Sequence, residues 1–378
     1  MKTLRQSRAV LLLPLLFVHA GAHLMAASHL IFLGTYTSNS TSKGIYAVRL
    51  DGDTGALSTP QLVAATPDPT WITLTPDRKI LYAIHPSVAQ AVGFSVDAAR
   101  GALTPLPAAA SAPAQPPSHL AVDATGRVLL AANYRDGYVA SMAIRADGSL
   151  GAPNLIRHEG KGTHPTRQEK SHVHSVTLAP DNRHVIVADL GLDKIFSYAL
   201  DPASATLKPA AVPFVAAAPG SGPRHFKFGA DGRHAYVINE LANTITGYDY
   251  TAATGALTPR QTVSTLPAGY SAPSTAAEIR VHPNGKFLYG SNRGHGSIAV
   301  FAIDTASGAL SPQPIEIVPT GGKNPRNFAL SPDGRWLVCG HQETDLVTVF
   351  RVDSATGRLA RIPHAAAVPS AVCVLFFN

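Results

Sequence analysis

The segment "VTLAPDNRHVIVAD", residues 176–189, decides the fold because its pattern recurs through the chain. An apolar strand leads into a short polar turn, and a second apolar strand follows. Asp-Gly and Asn-Gly turns between apolar runs are strong signals for β-hairpins. The related segments are "ITLTPDRKILYAI" (72–84), "LAVDATGRVLLAAN" (120–133), "FKFGADGRHAYVIN" (226–239), "IRVHPNGKFLYGSN" (279–292) and "FALSPDGRWLVCGH" (328–341).

The hairpins repeat at a regular distance. The third turn position recurs every 48 to 56 residues, at Arg78, Gly126, Asn182, Gly232, Gly285 and Gly334. Each unit continues into a second strand pair joined by an Asp…Gly turn, as in residues 297–312 and 348–362. Four antiparallel strands at this period are typical of a β-propeller blade.

A seventh blade is predicted from both ends of the domain. Residues 29–58 supply three strands, and the apolar segment 368–378 supplies the innermost one. Closing the ring with strands from both termini would remove open sheet edges. We therefore predict an all-β fold, a seven-bladed propeller of four-stranded antiparallel blades, as a single domain over residues 28–378.

Residues 1–27 have the features of a secretory signal peptide. Lys2, Arg5 and Arg8 precede the apolar run 9–18, and small residues allow cleavage after about residue 22 or 27. The run is too short for a membrane-spanning helix. We expect a periplasmic or secreted protein without a stable membrane span once the signal is removed.

The charge balance argues against nucleic acid as a partner. The three N-terminal cations belong to a formal net charge of +7, which leaves +4 for the rest of the chain. A nucleic-acid surface normally concentrates basic residues in a stripe, and the sequence contains none. Cys339 and Cys373, the only two cysteines, lie in apolar runs and are interpreted as small packed hydrophobes rather than a disulfide.

Polar residues are predicted to converge at one mouth of the propeller channel. In each blade the first strand begins, and the second ends, on the same face of the disc. Residues at these points are His119, His172, His174, Arg224, His225, Arg326 and Asn327, with Tyr134, Arg135, Asn239, Glu240, Asn292, Arg293, His295, His341 and Glu343. For any single one of these residues, a structural role is the alternative to a role in the site. Taken together, however, several arginines with few acids favour a ligand that carries carboxylate or phosphate.

His172 and His174 are one residue apart, so strand alternation predicts that both face the channel. Zinc would need a third and usually a fourth ligand, and the mouth offers mainly arginines. We therefore expect no metal and no cofactor. His174 is preferred as a proton-transfer group, with His172 nearer the entrance.

The segments "GTYT", "RQEKSHVHSV", "GPRHFKFGADGRHAYVINEL", "SNRGHGSIAVF" and "NPRNFALSPDGRWLV" resemble the seven-bladed propeller lactonases. That family includes propeller-type 6-phosphogluconolactonases and the fungal carboxy-muconate lactonizing enzyme. The resemblance implies a metal-independent lactonase that acts on a small anionic or polar lactone. It implies catalytic roles for His174, Arg224, Glu240 and Arg293.

His172, His225, Arg326 and His295 are predicted to bind the substrate. The predicted export favours an unphosphorylated aldonolactone, or another small acidic lactone outside the cytoplasm, over a cytoplasmic phosphosugar, and we expect a monomer. Three alternatives remain: a non-catalytic propeller that binds a partner, a redox propeller, and a calcium- or zinc-dependent gluconolactonase. The sequence lacks a CxxCH haem attachment motif and a cluster of carboxylates at the mouth.

Overall fold

The computed structural model describes residues 28–85, 91–107 and 116–377. Over these residues the chain forms 28 strands, arranged in seven four-stranded antiparallel sheets, and no helix. The prediction of a seven-bladed all-β propeller is confirmed. The predicted signal peptide, residues 1–27, lies outside the described residues and stays a prediction.

The blades follow one another in the sequence, apart from the first. Blade 1 contains β1 (His29–Thr35), β2 (Gly44–Leu50), β3 (Gln61–Ala65) and the last strand, β28 (Ala371–Phe377). Blade 2 contains β4 (Ile72–Leu74), β5 (Ile80–Ala83), β6 (Val92–Asp97) and β7 (Ala102–Pro105). Blade 3 contains β8 (His119–Val122), β9 (Val128–Asn133), β10 (Tyr138–Ala143) and β11 (Asn154–Arg157).

Blades 4 to 7 follow in sequence order. Blade 4 contains β12 (Val173–Leu178), β13 (His184–Asp189), β14 (Lys194–Asp201) and β15 (Thr206–Ala216). Blade 5 contains β16 (Pro223–Phe228), β17 (His234–Asn239), β18 (Thr244–Thr251) and β19 (Ala256–Ser264). Blade 6 contains β20 (Ala276–Val281), β21 (Phe287–Asn292), β22 (Ser297–Ala302) and β23 (Glu316–Pro319), and blade 7 contains β24 (Pro325–Leu330), β25 (Trp336–His341), β26 (Val347–Val352) and β27 (Leu359–Ala366).

In six blades the repeated turn requires a left-handed backbone conformation at the same position. Its third residue adopts a left-handed conformation each time, with φ between 57° at Asn182 and 73° at Gly285. Glycine and asparagine tolerate this region best, which explains five of the six residues, with Arg78 as the exception. At Gly334 a Cβ atom would lie 2.5 Å from the His282 ring, so close packing adds a second reason for glycine.

Neighbouring blades are joined by a recurring side-chain hydrogen bond. Tyr82, Tyr236 and Tyr289 each donate a phenolic proton to a glycine carbonyl in the next blade, at 2.8 to 2.9 Å. Trp336 Nε1 makes the equivalent contact from blade 7 to blade 1, at 3.1 Å from the Gly52 carbonyl. These aromatic side chains are buried, so each contact combines apolar burial with a satisfied polar group.

Ring closure occurs as the sequence predicts. Strand β28 is the innermost strand of blade 1 and pairs antiparallel with β1, placing Leu33 opposite Val374. Cys339 and Cys373 are both free and buried, so they act as small apolar residues. Within the described parts of the chain, the structure contains no helix that is long and apolar enough to cross a membrane.

Candidate active site

A cavity of about 510 Å³ opens at the mouth of the channel. Its volume lies within the usual range for small-molecule sites. Five arginines and two carboxylates line it, together with histidine, tryptophan and tyrosine side chains. These residues are Arg135, Arg167, Arg224, Arg293, Arg326, Asp68, Glu240, His174, His225, Trp71, Tyr36 and Tyr134. The wall is thus strongly cationic and partly aromatic.

Three of the innermost strands begin with a β-bulge, and each bulge contains a residue of the cavity wall. The pairing register shifts between Val173 and Ser175 in blade 4 and between Pro223 and His225 in blade 5. A third shift lies between Pro325 and Asn327 in blade 7. The residues at these shifts are His174, Arg224 and Arg326, which all line the cavity. Bulges re-aim a side chain at the end of a sheet, and here the repeat places three of them in one wall.

Glu240 lies at the centre of the arginine cluster and is almost completely buried. Its Oε2 accepts a hydrogen bond from Arg224 Nε at 2.8 Å, and its Oε1 lies 3.0 Å from Arg293 Nη2. Arg167 Nη2 donates to the same Oε1. Burial alone would raise the pKa of Glu240, but the surrounding cations, chiefly Arg293 and Arg224, hold that pKa well below its usual range. The carboxylate is therefore ionised.

Arg224 is the most enclosed of these cations. Burial lowers its pKa, as does the charge of Arg293, while Glu240 opposes the shift. Besides Glu240, its guanidinium donates to the Ala277 carbonyl at 2.7 Å and approaches His225 Nε2 at 3.2 Å. A buried cation with this many acceptors has a fixed orientation.

Three buried imidazoles lie beside the arginines. His174 and His225 have ring centroids 5.2 Å apart, and His119 stacks on Trp71 at 3.9 Å. Burial holds the pKa of each of these histidines well below its usual range, and neighbouring cationic groups add to the effect. All three rings are therefore neutral at neutral pH. His174 Nε2 lies 3.9 Å from Glu240 Oε2, and its buried Nδ1 has no hydrogen-bond partner among the described residues.

A second buried carboxylate, Glu278, underlies the cavity. Its Oε2 accepts hydrogen bonds from His225 Nδ1 at 3.2 Å and from Asn327 Nδ2, and its Oε1 accepts the Ile279 N–H at 3.0 Å. With Nδ1 donating to Glu278, His225 presents Nε2 as an acceptor to Arg224. The network thus runs from Glu278 through His225 and Arg224 to Glu240.

Six of the eight predicted site residues line the cavity. They are His174, Arg224, Glu240, Arg293, His225 and Arg326. Arg326 stacks over the Tyr36 ring, with its guanidinium carbon 5.7 Å from the ring centroid.

The other two lie elsewhere. His172 packs behind Tyr134 and uses both ring nitrogens, on the Tyr134 carbonyl at 2.8 Å and on Glu169 at 3.1 Å. His295 contacts Ser297 Oγ at 2.7 Å in an adjoining crevice. The expectation that His172 faces the channel with His174 fails because β12 begins at Val173 and the bulge breaks the alternation.

Sequence reasoning missed Arg167, Glu278 and Trp71. Arg167 lies between β11 and β12, outside the repeating unit, so strand alternation gives no signal for it. Glu278 follows two alanines in "TAAEIRV" at the position equivalent to His225, and aligning the blades could have identified it. Among the described residues, no group of three or more His, Cys, Asp or Glu side chains is arranged to hold a metal ion.

The comparisons with known proteins agree with this architecture. The family described as "Lactonase, 7-bladed beta-propeller" matches residues 30–376. The chain therefore belongs to the seven-bladed β-propeller lactonases, and the predicted family and enzyme class are confirmed.

Two bacterial proteins illustrate the relationship. The 6-phosphogluconolactonase of Bacillus subtilis is 36% identical over 351 residues, covering 92% of this chain and 98% of that protein. The solved structure of the periplasmic gluconolactonase of Pseudomonas aeruginosa matches with a TM-score of 0.87 and 33% identity, covering 93% of this chain and 99% of that one. The propeller is thus shared over essentially its full length.

Proposed function

We propose that this chain hydrolyses a small sugar-acid lactone in the cavity at the channel mouth, without a metal ion. The observation that carries the proposal is the pairing of a neutral, buried His174 with an arginine-rich wall around one ionised carboxylate. Lactone hydrolysis needs a proton acceptor for water and positive charge for the oxyanion, and these groups provide both.

His174 is the proposed general base. A carboxylate that accepts from three arginines is a weak base, so Glu240 is poorly suited to deprotonate water. His174 takes the proton as the water oxygen bonds to the lactone carbonyl carbon. It then returns the proton to the ring oxygen as the carbon–oxygen bond of the ring breaks. Glu240, 3.9 Å away, stabilises the imidazolium formed between the two steps.

Arg224 and Arg293 are the proposed oxyanion partners. Both are held by Glu240, so their guanidinium groups are oriented before substrate binds. Donors that need no reorientation during the reaction give the largest electrostatic stabilisation of a transition state. His225 and Arg326 complete the wall and are assigned to substrate contacts.

For the substrate we propose an aldonolactone, unphosphorylated or carrying an anionic group. One relative is named 6-phosphogluconolactonase and another is named a periplasmic gluconolactonase, so the two names differ in the phosphate. The signal-peptide pattern in residues 1–27 favours action in the periplasm or outside the cell, where unphosphorylated lactones are the more accessible substrates.

The test is acid release above spontaneous hydrolysis, followed by pH-stat. The substrates are δ-gluconolactone, its 6-phosphate and a muconolactone, before and after dialysis against EDTA. We expect hydrolysis that survives EDTA and falls at least a hundredfold in His174→Ala and Arg293→Ala. The matched controls are His364→Ala on the outer strand β27 and Arg183→Ala, which pairs with Asp181 at the surface. No release above background on any lactone would refute the proposal, and activity lost to EDTA would refute its metal-independent form.

A further inference from the structure

Arg167 differs from the other arginines that contact Glu240. Its side chain is 36% exposed, against 14% for Arg293 and 2% for Arg224. Arg167 Nη2 contacts Glu240 Oε1 and the Tyr134 hydroxyl, the latter at 3.3 Å. Its Nε and Nη1 groups make no hydrogen bond within the described parts of the chain. The guanidinium therefore faces the cavity with unused donors.

The segment that carries Arg167, residues 158–172, is fastened to the end of β13. Asp189 is fully buried, and its carboxylate accepts from His158 Nδ1 at 2.8 Å, from Ser171 Oγ at 2.6 Å and from the His172 N–H at 2.9 Å. The side chain of Gln168, next to Arg167, is also buried and donates to the Leu190 carbonyl at 2.8 Å. Arg167 is thus a long side chain on a fixed backbone.

The charge at the mouth leaves room for an anion. Besides Arg135, four arginines line the mouth with two carboxylates, and one of these, Asp68, already accepts the N–H groups of Thr37 and Ser38. Glu240 therefore serves several cations at once. Cations in a partly desolvated site are costly unless they are paired, so a second anion would be stabilised there. Arg167 is the partner of Glu240 that such an anion reaches from solvent.

We propose that Arg167 sets the substrate specificity by binding an anionic substituent of the lactone, a phosphate or a carboxylate, through its unused N–H donors. This inference rests on the proposed lactonase function and deepens it. Each unused N–H can donate a charge-assisted hydrogen bond to either group, and a contact made equally in ground and transition state acts mainly through KM. The catalytic pair of arginines, Arg224 and Arg293, stays on Glu240.

The experiment compares anionic and neutral lactones in the same enzyme. We would measure kcat and KM for δ-gluconolactone, its 6-phosphate and a carboxylated muconolactone in wild type, Arg167→Gln and Arg167→Lys. For Arg167→Gln we expect the ratio of kcat/KM for an anionic lactone to that for the neutral one to fall at least tenfold, mainly through KM. The ratio for Arg167→Lys should fall between those for wild type and Arg167→Gln, because a lysine keeps the charge but not the fixed N–H directions of the guanidinium. A larger effect on the 6-phosphate identifies phosphate as the preferred group, and a larger effect on the muconolactone identifies carboxylate.

Lys161→Gln is the matched control, since it removes one exposed charge from the same segment and does not line the cavity. Its ratio should stay within twofold of wild type. Equal losses on neutral and anionic lactones in Arg167→Gln would overturn the inference and reduce Arg167 to a support for Glu240.

A calorimetric titration with inorganic phosphate separates this inference from the proposed function. If wild type hydrolyses none of the lactones, the proposed function fails on its own. Phosphate binding that weakens at least tenfold in Arg167→Gln still supports the anion site, whereas unchanged or absent binding overturns it.

Discussion

A carboxylate among three arginines has a different role from a carboxylate near a single base. Glu240 stays ionised far into the acid range, so it organises Arg167, Arg224 and Arg293 rather than exchanging protons. The residue free to exchange a proton is the neighbouring imidazole of His174. The division of roles follows from the charge count around each group, which the sequence alone does not give.

The pH dependence of activity tests the role of His174. Burial and the charge of Arg224 hold the pKa of His174 below its usual value near 6.5, so the ring stays neutral and competent until the pH falls below that lowered pKa. The acid limb of kcat/KM is therefore expected at a pH below this usual value. In Arg224→Gln, loss of the cation raises the pKa of His174, so the acid limb of the residual activity should move to higher pH.

A pH–rate profile from pH 4 to 8 measures this shift, with Arg183→Gln as the control for loss of a surface charge. Reduced activity in Arg224→Gln with an unmoved acid limb would contradict the assignment of His174 as the base.

Substitution of Glu278 tests whether the hydrogen-bond network beneath the cavity supports the site. Glu278→Gln keeps the side-chain size but leaves one acceptor oxygen, so the side chain can no longer accept both from the Ile279 N–H and from the His225 and Asn327 donors. Leaving a buried hydrogen-bonding group without its partner costs about 1–3 kcal/mol of unfolding free energy. Urea unfolding measures the loss, and Glu343→Gln, an exposed carboxylate that accepts from Asn324, is the control with an expected change below about 0.5 kcal/mol.

Arg224 should also lose its fixed orientation in Glu278→Gln, so kcat should fall more than KM rises. Equal stabilities for wild type and Glu278→Gln would show that the network does not hold the site together.

At the scale of elements, the strands and turns were predictable and the bulges were not. Asp-Gly and Asn-Gly turns at a fixed period predict the hairpins directly, because few residue types adopt the positive φ that the turn needs. A bulge depends on the pairing partner, so alternation alone placed His172 beside His174. The segment 158–172 has no strand period, and its fastening to Asp189 depends on contacts between distant residues. The sequence pattern therefore does not identify Arg167 as a site residue.

The fastening of this segment gives a prediction at the same scale. Asp189→Asn replaces a carboxylate oxygen that accepts from His158 and Ser171 with an amide donor, so residues 158–172 should open locally while the blades stay intact. Hydrogen exchange of residues 158–172 should accelerate at least tenfold, with little change in β16 and β17. Asp201→Asn, at the exposed end of β14, is the control. Uniform acceleration across all blades would mean that Asp189 supports the whole fold rather than the segment.

At the scale of the whole molecule, ring closure connects stability to the site. The sequence predicted that 368–378 completes blade 1, because an apolar tail needs a partner. It did not predict that this strand reaches the active-site network. The Val374 N–H donates to Asn327 Oδ1 at 2.8 Å, and Asn327 Nδ2 donates to Glu278. The closing strand therefore supports Glu278, and through it His225 and Arg224.

Removing residues 371–378 should disrupt both stability and catalysis. The deletion exposes the inner edge of β1 and the buried partners of Val372, Val374 and Phe376, and burial of each such side chain contributes about 1.5–3 kcal/mol. We expect loss of the cooperative thermal transition, or a large fall in Tm by circular dichroism, with aggregation through the open edge. A synthetic peptide of residues 368–378 should restore part of the transition and the lactonase activity by strand addition, whereas a scrambled peptide should not. A truncated chain that melts at the wild-type temperature would show that the ring is held by the side-to-side packing of the blades and that closure by β28 contributes little.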